Sequence, residues 1–256
     1  ISVDSSYVSA CNAQGAYPLS YFPHNYHFMA ATATLEGNSM WAIEAANNVA
    51  EHSNTLLMKE PGWGTIQHYY TIPYYINVKF GKWKKILEMD NEDTSLKYPE
   101  AVRNYARGMA FLGLDKLDEA KKELSALEIY SEDESLKEIT IWDINSVDVL
   151  LQIAKRVLKA EILASESNYQ DSIKLLKEAV EIEDNLNYNE PPDWFFSVRH
   201  HLGAIQIEAA LYDDAIITYQ EDLTRLPKNG WALHGLKLAY EKLEESTKLK
   251  DVEEKL

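Results

Sequence analysis

Histidines, carboxylates and aromatic rings at helical spacing mark where chemistry would start in this chain. His24 and His27 form a His-x-x-His pair; three residues apart on a helix, they share a face and can chelate one metal ion. His68 would add a third ligand and leave a position for water, as in hydrolytic zinc sites. Neither HExxH nor a paired CxxC accompanies them, so metal binding ranks below plain hydrogen bonding by these imidazoles. In Glu190-Pro191-Pro192-Asp193-Trp194, two carboxylates could stand beside His200 and His201. The preferred reading puts Asp193 at a helix N-terminus, where the macrodipole favours an acid, and packs Trp194 on the preceding loop. Trp63, Tyr69, Tyr70, Tyr74, Tyr75, Phe80 and Trp83 could wall a peptide or sugar site. Such density serves core packing first, with Tyr75 foremost among rings facing a ligand. Arg103, Arg107 and Arg199 could clamp a carboxylate. Walker A, GxGxxG and GxSxG patterns are absent, which removes the support for nucleotide-dependent and serine-nucleophile chemistry.

The elements that must position these residues read as paired helices. Small residues recur twelve apart, as Ala30 and Ala42, Gly108 and Ala120, Ala160 and Ser172, Gly203 and Ala215; each pair fits a close contact within an antiparallel helical hairpin. This spacing marks four hairpins, over 23–52, 98–129, 145–184 and 192–226; a fifth, over 63–89, matches the pattern least well, and a capping helix is expected over 229–244. Pro23 suits a first helical turn, and Gly37-Asn38 a connection. Pro73 should kink or break the first helix of the second hairpin. Residues 130–144 read as an acidic connector, Asp90 to Thr94 as a polar run, and the charged tail after Glu241 as frayed. Tyr7, Val8 and Cys11 suit a short helix ended by Gly15 and Pro18. The expected class is all-α.

Composition bounds the partners. The 256 residues are 46% hydrophobic and 11% aromatic, ample for a packed interior, and 10 Gly with 8 Pro argue against disorder or a turn-rich β protein. A net charge of −16 disfavours nucleic acid and anionic membrane, which require a basic footprint. One cysteine, Cys11, excludes an internal disulfide framework. No apolar run approaches the ~20 residues that span a bilayer. The start at Ile1 without Met leads us to expect an excised or processed piece of a longer chain, whose upstream part would be a partner.

Leu202-Gly203, Tyr212-Asp213-Asp214-Ala215 and Pro227, within a unit of about 34 residues, resemble the tetratricopeptide repeat. YFPHNYHF, FGKWKKIL, EPPDW and EDLTRLPKNGW together resemble a group of uncharacterised bacterial tetratricopeptide proteins, in which such units form the C-terminal part of a longer chain. The resemblance implies a right-handed superhelix, an α-solenoid, with the first helix of each pair lining a concave groove. Residues six and three before the small position, and one and four after it, share a stripe on that helix. The expected groove then holds His24, His27, Thr34, His68, Thr71, Tyr75, Tyr105, Met109, Glu161, Ser197, His200 and Ile207. The function it implies is a scaffold that binds a protein or peptide, without catalysis or cofactor. The alternative is a metal-binding or metal-dependent hydrolytic protein using His24, His27 and His68, with a divalent ion such as zinc.

Overall fold

A computed structural model describes residues 22–89 and 95–256, together with Ser6 and Ala10. The expected helix around Tyr7, Val8 and Cys11, its stop at Gly15 and Pro18, and the polar run from Asp90 to Thr94 lie outside the described residues. The fold is all-α and helical-repeat-like. In chain order the helices are α1 (Phe22–Leu35), α2 (Ser39–Glu51), α3 (Gly64–Lys79), α4 (Trp83–Glu88), α5 (Lys97–Leu112), α6 (Leu117–Ser131), α7 (Val147–Ser165), α8 (Tyr169–Asp184), α9 (Arg199–Glu208), α10 (Tyr212–Arg225), α11 (Gly230–Lys242) and α12 (Ser246–Glu253). Between α6 and α7 a two-residue antiparallel ladder pairs β1 (Thr140–Ile141) with β2 (Asn145–Ser146). Among the described residues, no helix is long and apolar enough to cross a membrane.

Among the described residues, one local device closes each helical hairpin. A residue with positive φ stands two before the second helix of each pair: Gly37, Gly81, Asp115, Ser167, Ala210 and Glu244. The next amide reaches back five residues, Asn38 to Ala33 at 2.8 Å, Lys82 to Asn77 at 2.9 Å, Lys116 to Phe111 at 2.8 Å. Asn168 to Leu163, Leu211 to Gln206 and Glu245 to Tyr240 do the same. This left-handed residue with its six-to-one bond satisfies carbonyls that the helix end leaves free. The small residues twelve apart are all buried. In the fourth pair they bond directly, the Ser172 hydroxyl donating to the Ala160 carbonyl at 2.8 Å.

Three expectations change in the structure. α3 runs unbroken through Pro73. All but two of its residues are buried, so packing on every side holds the helix despite the missing amide. α9 begins at Arg199 rather than beside Asp193, and residues 187–198 form no helix. The tail after Glu241 is helical as α12. Val252 seats it against Leu236 and Tyr240, and Lys237 bridges to Glu253 at 3.3 Å.

The chain forms two compact units. The first comprises Ile1–Thr34, Asn38–Lys155 and Asn187–Phe195; the second comprises Leu35–Gly37, Arg156–Leu186 and Phe196–Leu256. In the second unit the Tyr219 ring lies between α9 and α11. A methyl group on Gly203 or on Gly235 would come closer than 3.0 Å to three atoms of that ring. Glycine at both positions is the condition for the ring to fit.

Candidate functional site

In the first unit, expected ligand residues gather around a histidine pair. His27 and His68 meet edge to face with ring centroids 5.9 Å apart. Both are buried, His68 completely. His68 Nδ1 and the Tyr98 hydroxyl are 2.8 Å apart, and this bond fixes one ring nitrogen while Nε2 has no partner. His27 Nε2 and Trp194 Nε1 are likewise buried without partners. Burial lowers the His27 pKa well below its ordinary value, with His68 and His24 adding repulsion, and burial brings His68 to about 3. Both rings are neutral at pH 7. A group with so low a pKa is a weak general base, so this pair suits hydrogen bonding rather than proton abstraction.

Around them the rings interlock. His27 stacks on Phe195 at 5.3 Å, and Tyr75 meets Trp194 at 5.6 Å and Tyr105 at 6.1 Å. Thr71 caps inward, its hydroxyl donating to the His68 carbonyl at 2.7 Å. Thr34 and Met109 are also buried. This is a correction to an open groove lining: His27, Thr34, His68, Thr71, Tyr75, Tyr105 and Met109 are buried, and the rings of Tyr69, Tyr98, Trp194 and Phe195 pack against His27, His68 and Tyr75. Asp193 is buried too and stands at no helix start. Its carboxylate accepts from Asn145 at 2.8 Å and Asn189 at 2.7 Å; burial raises its pKa while these two bonds oppose the shift.

His24 is only half-buried, unlike His27 and His68. Its Nδ1 lies 3.2 Å from the Tyr69 hydroxyl, and its ring meets Phe28 at 4.8 Å and Trp142 at 6.0 Å. The three histidines therefore do not converge on one point. Among the described residues, no group of three or more His, Cys, Asp or Glu is placed to hold a metal ion.

In the second unit the expected residues join internal networks. His200 Nε2 lies 3.1 Å from Asp222 and 2.9 Å from Asn229. Glu161 lies 2.6 Å from His201 Nδ1. The Ser197 hydroxyl accepts the Arg199 amide, and Ile207 packs on the core around Tyr219. The arginines are engaged within the chain: Arg199 clamps Asp184 through two bonds of 2.8 and 2.7 Å, Arg107 holds Glu123 and Arg103 holds Glu100.

An accessible opening of the first unit lies beside residues 140–143, in the stretch expected as an acidic connector. Ile144 N–H bonds to the Ile141 carbonyl at 2.9 Å, closing a turn whose central residues, Trp142 and Asp143, have φ of 53° and 57°. Positive φ at both positions is the mirror-image turn that matches strand twist and normally takes Asn-Gly. A bulky residue such as tryptophan is an outlier there. The turn is held from outside: the Trp142 amide donates to the Thr65 hydroxyl at 2.9 Å, and Thr140 donates to Asp143 at 3.0 Å. Gly64 allows the approach, since a methyl there would overlap the Thr140 carbonyl and reach Ile139 Cγ2 at 2.7 Å. The result is a tryptophan 41% exposed on a strained support, and such strain gathers at binding sites.

Two cavities border the β1–β2 hairpin. One, of about 150 Å³, is lined by Gly62, Trp63, Thr65, Ile66, Trp142 and Asp143 with Thr140. The other, of about 360 Å³, runs past Met58, Gln67, Leu96 and Leu136 and shares Gly62 and Thr140 with the first. No protein-family model, curated protein or solved structure matches the chain.

Proposed function

We propose that the chain is a tetratricopeptide-like binding module that holds an extended peptide segment of a protein partner and carries out no catalysis. One observation carries this reading: the two cavities share Gly62 and Thr140 beside an exposed tryptophan held in a strained turn. Two neighbouring cavities with shared lining residues suit a chain laid across both with one side chain inserted. The helical pairs supply a rigid frame for such a surface, and the neutral, buried histidine pair braces the interior beneath Tyr69 and His24. Repeat proteins place binding on surfaces built by neighbouring pairs, and here α3 and the β1–β2 turn supply the walls.

Panning a library of random linear peptides displayed on phage tests the reading. Wild-type protein should enrich a consensus sequence, and a synthetic peptide of that sequence should bind Trp142→Ala at least tenfold more weakly. A thermal melt of the variant checks that it is folded. Failure to enrich any sequence, or equal binding by folded Trp142→Ala, overturns the proposal.

A further inference from the structure

We infer that the pocket between Trp63 and Trp142 takes a cationic side chain, a lysine, methylated lysine or arginine of the bound peptide. The inference rests on the peptide-binding reading and names its chemistry at one pocket. Two tryptophans, Trp63 and Trp142, and one acidic residue, Asp143, are among the residues that line a cavity of about 150 Å³, a size for one side-chain end rather than a folded surface. The face of an indole attracts a cation through the ring quadrupole, and tryptophan does so best among the aromatic residues. Asp143 adds a full negative charge. Its carboxylate is held toward the turn by Thr140, and the residue is exposed, so it can meet an incoming charge without being removed from water first.

An opposing term is present. α3 begins at Gly64, between the pocket-lining residues Trp63 and Thr65, and a helix N-terminus carries about half a positive charge. The unit charge of Asp143 exceeds it. The chain as a whole carries −16, which draws basic segments toward it and repels acidic ones. The turn geometry also has a purpose under this reading. A regular Asn-Gly turn would close the ladder with less strain but would leave the pocket without its second ring and its carboxylate.

Four heptapeptides built on the panned consensus, differing only at the inserted residue, provide the test. That residue is lysine, trimethyl-lysine, the neutral carbon isostere of trimethyl-lysine, or glutamate. Affinities are read by fluorescence anisotropy, and the indole N–H resonances of Trp63 and Trp142 are followed by NMR. Tetramethylammonium chloride serves as a small probe, with sodium chloride at equal ionic strength as the control.

Trimethyl-lysine should bind about tenfold or more tightly than its neutral isostere, glutamate more weakly still, and tetramethylammonium should move both indole resonances. Asp143→Asn should cost about threefold to tenfold and flatten the salt dependence. Asparagine tolerates positive φ, so this variant keeps the turn. Trp142→Phe should keep part of the preference. Equal binding of the cation and its isostere overturns the inference and leaves the peptide reading standing. Indole shifts with tetramethylammonium but no peptide binding overturn the peptide reading and support the cation pocket.

Discussion

Replacing Gly203 by alanine puts a methyl group into the face of Tyr219, within 3.0 Å of three ring atoms. A side-chain end can often swing away, but this ring is bounded on its other side by Gly235, where an added methyl meets the same three atoms. Ala215, Ala232, Leu233 and Leu236 fill the surrounding space. Overpacking of a filled core costs roughly 1–3 kcal/mol, and a clamped ring belongs at the upper end. Alanine in mid-helix returns about 1 kcal/mol relative to glycine. The net expectation is a loss of about 2 kcal/mol, or a fall of roughly 4–8 °C in Tm for a chain of this size. Urea unfolding followed by circular dichroism measures it. The decisive comparison is made in a Tyr219→Leu background. There the obstacle is gone, and Gly203→Ala should be neutral or stabilising by up to about 1 kcal/mol. An equal penalty in both backgrounds, or a stabilised single variant, would refute the argument that the ring dictates both glycines.

Three further outcomes are expected. His68 protonates in the folded unit only near pH 3, whereas an unfolded histidine does so near 6.5. Between those values the unfolded chain binds more protons and stability falls as pH falls, by up to about 1.4 kcal/mol per unit from this group, with His27 adding to it. Urea midpoints at pH 7.5 and 5.5 should diverge in wild type and converge partly in His68→Gln; an unchanged slope in the variant excludes His68 as the source. Gly64→Ala drives a methyl into the backbone of Thr140, so the Trp142 amide should lose its bond to Thr65 and exchange with solvent at least tenfold faster, a rate that native-state hydrogen exchange reads directly. Arg199→Lys replaces a two-pronged contact to Asp184 by a point charge. It should destabilise the second unit by about 1–2 kcal/mol in urea, and a change below about 0.3 kcal/mol would show that the fork adds little.

The sequence by itself determined the helical pairs. Residues twelve apart at Ala30 and Ala42, Gly108 and Ala120, Ala160 and Ser172, and Gly203 and Ala215 are legible because a close helix contact admits only small side chains, whatever the rest of the chain does. The hairpin turns were only partly legible. Gly37 and Gly81 announce positive φ, but Asp115, Ser167, Ala210 and Glu244 adopt it because the two helices on either side require it. Likewise α12 carries a polar sequence that becomes a helix when Val252 finds the Tyr240 face.

The candidate site was decided by tertiary structure. Helical spacing correctly put His24 and His27 on one helix and His68 on another, yet no periodicity specifies which rings will cover them. Tyr98, Trp194 and Phe195 come from distant segments, and they turn an expected lining into an interior. Trp142 sat in a stretch read as an acidic connector, since nothing local favours tryptophan in a left-handed turn. Its place is fixed by Thr65, 77 residues earlier in the chain, and by the absence of a side chain at Gly64. Local pattern records what each helix must bury against its neighbour. Contacts between segments far apart in sequence determine which strained side chain is left facing water.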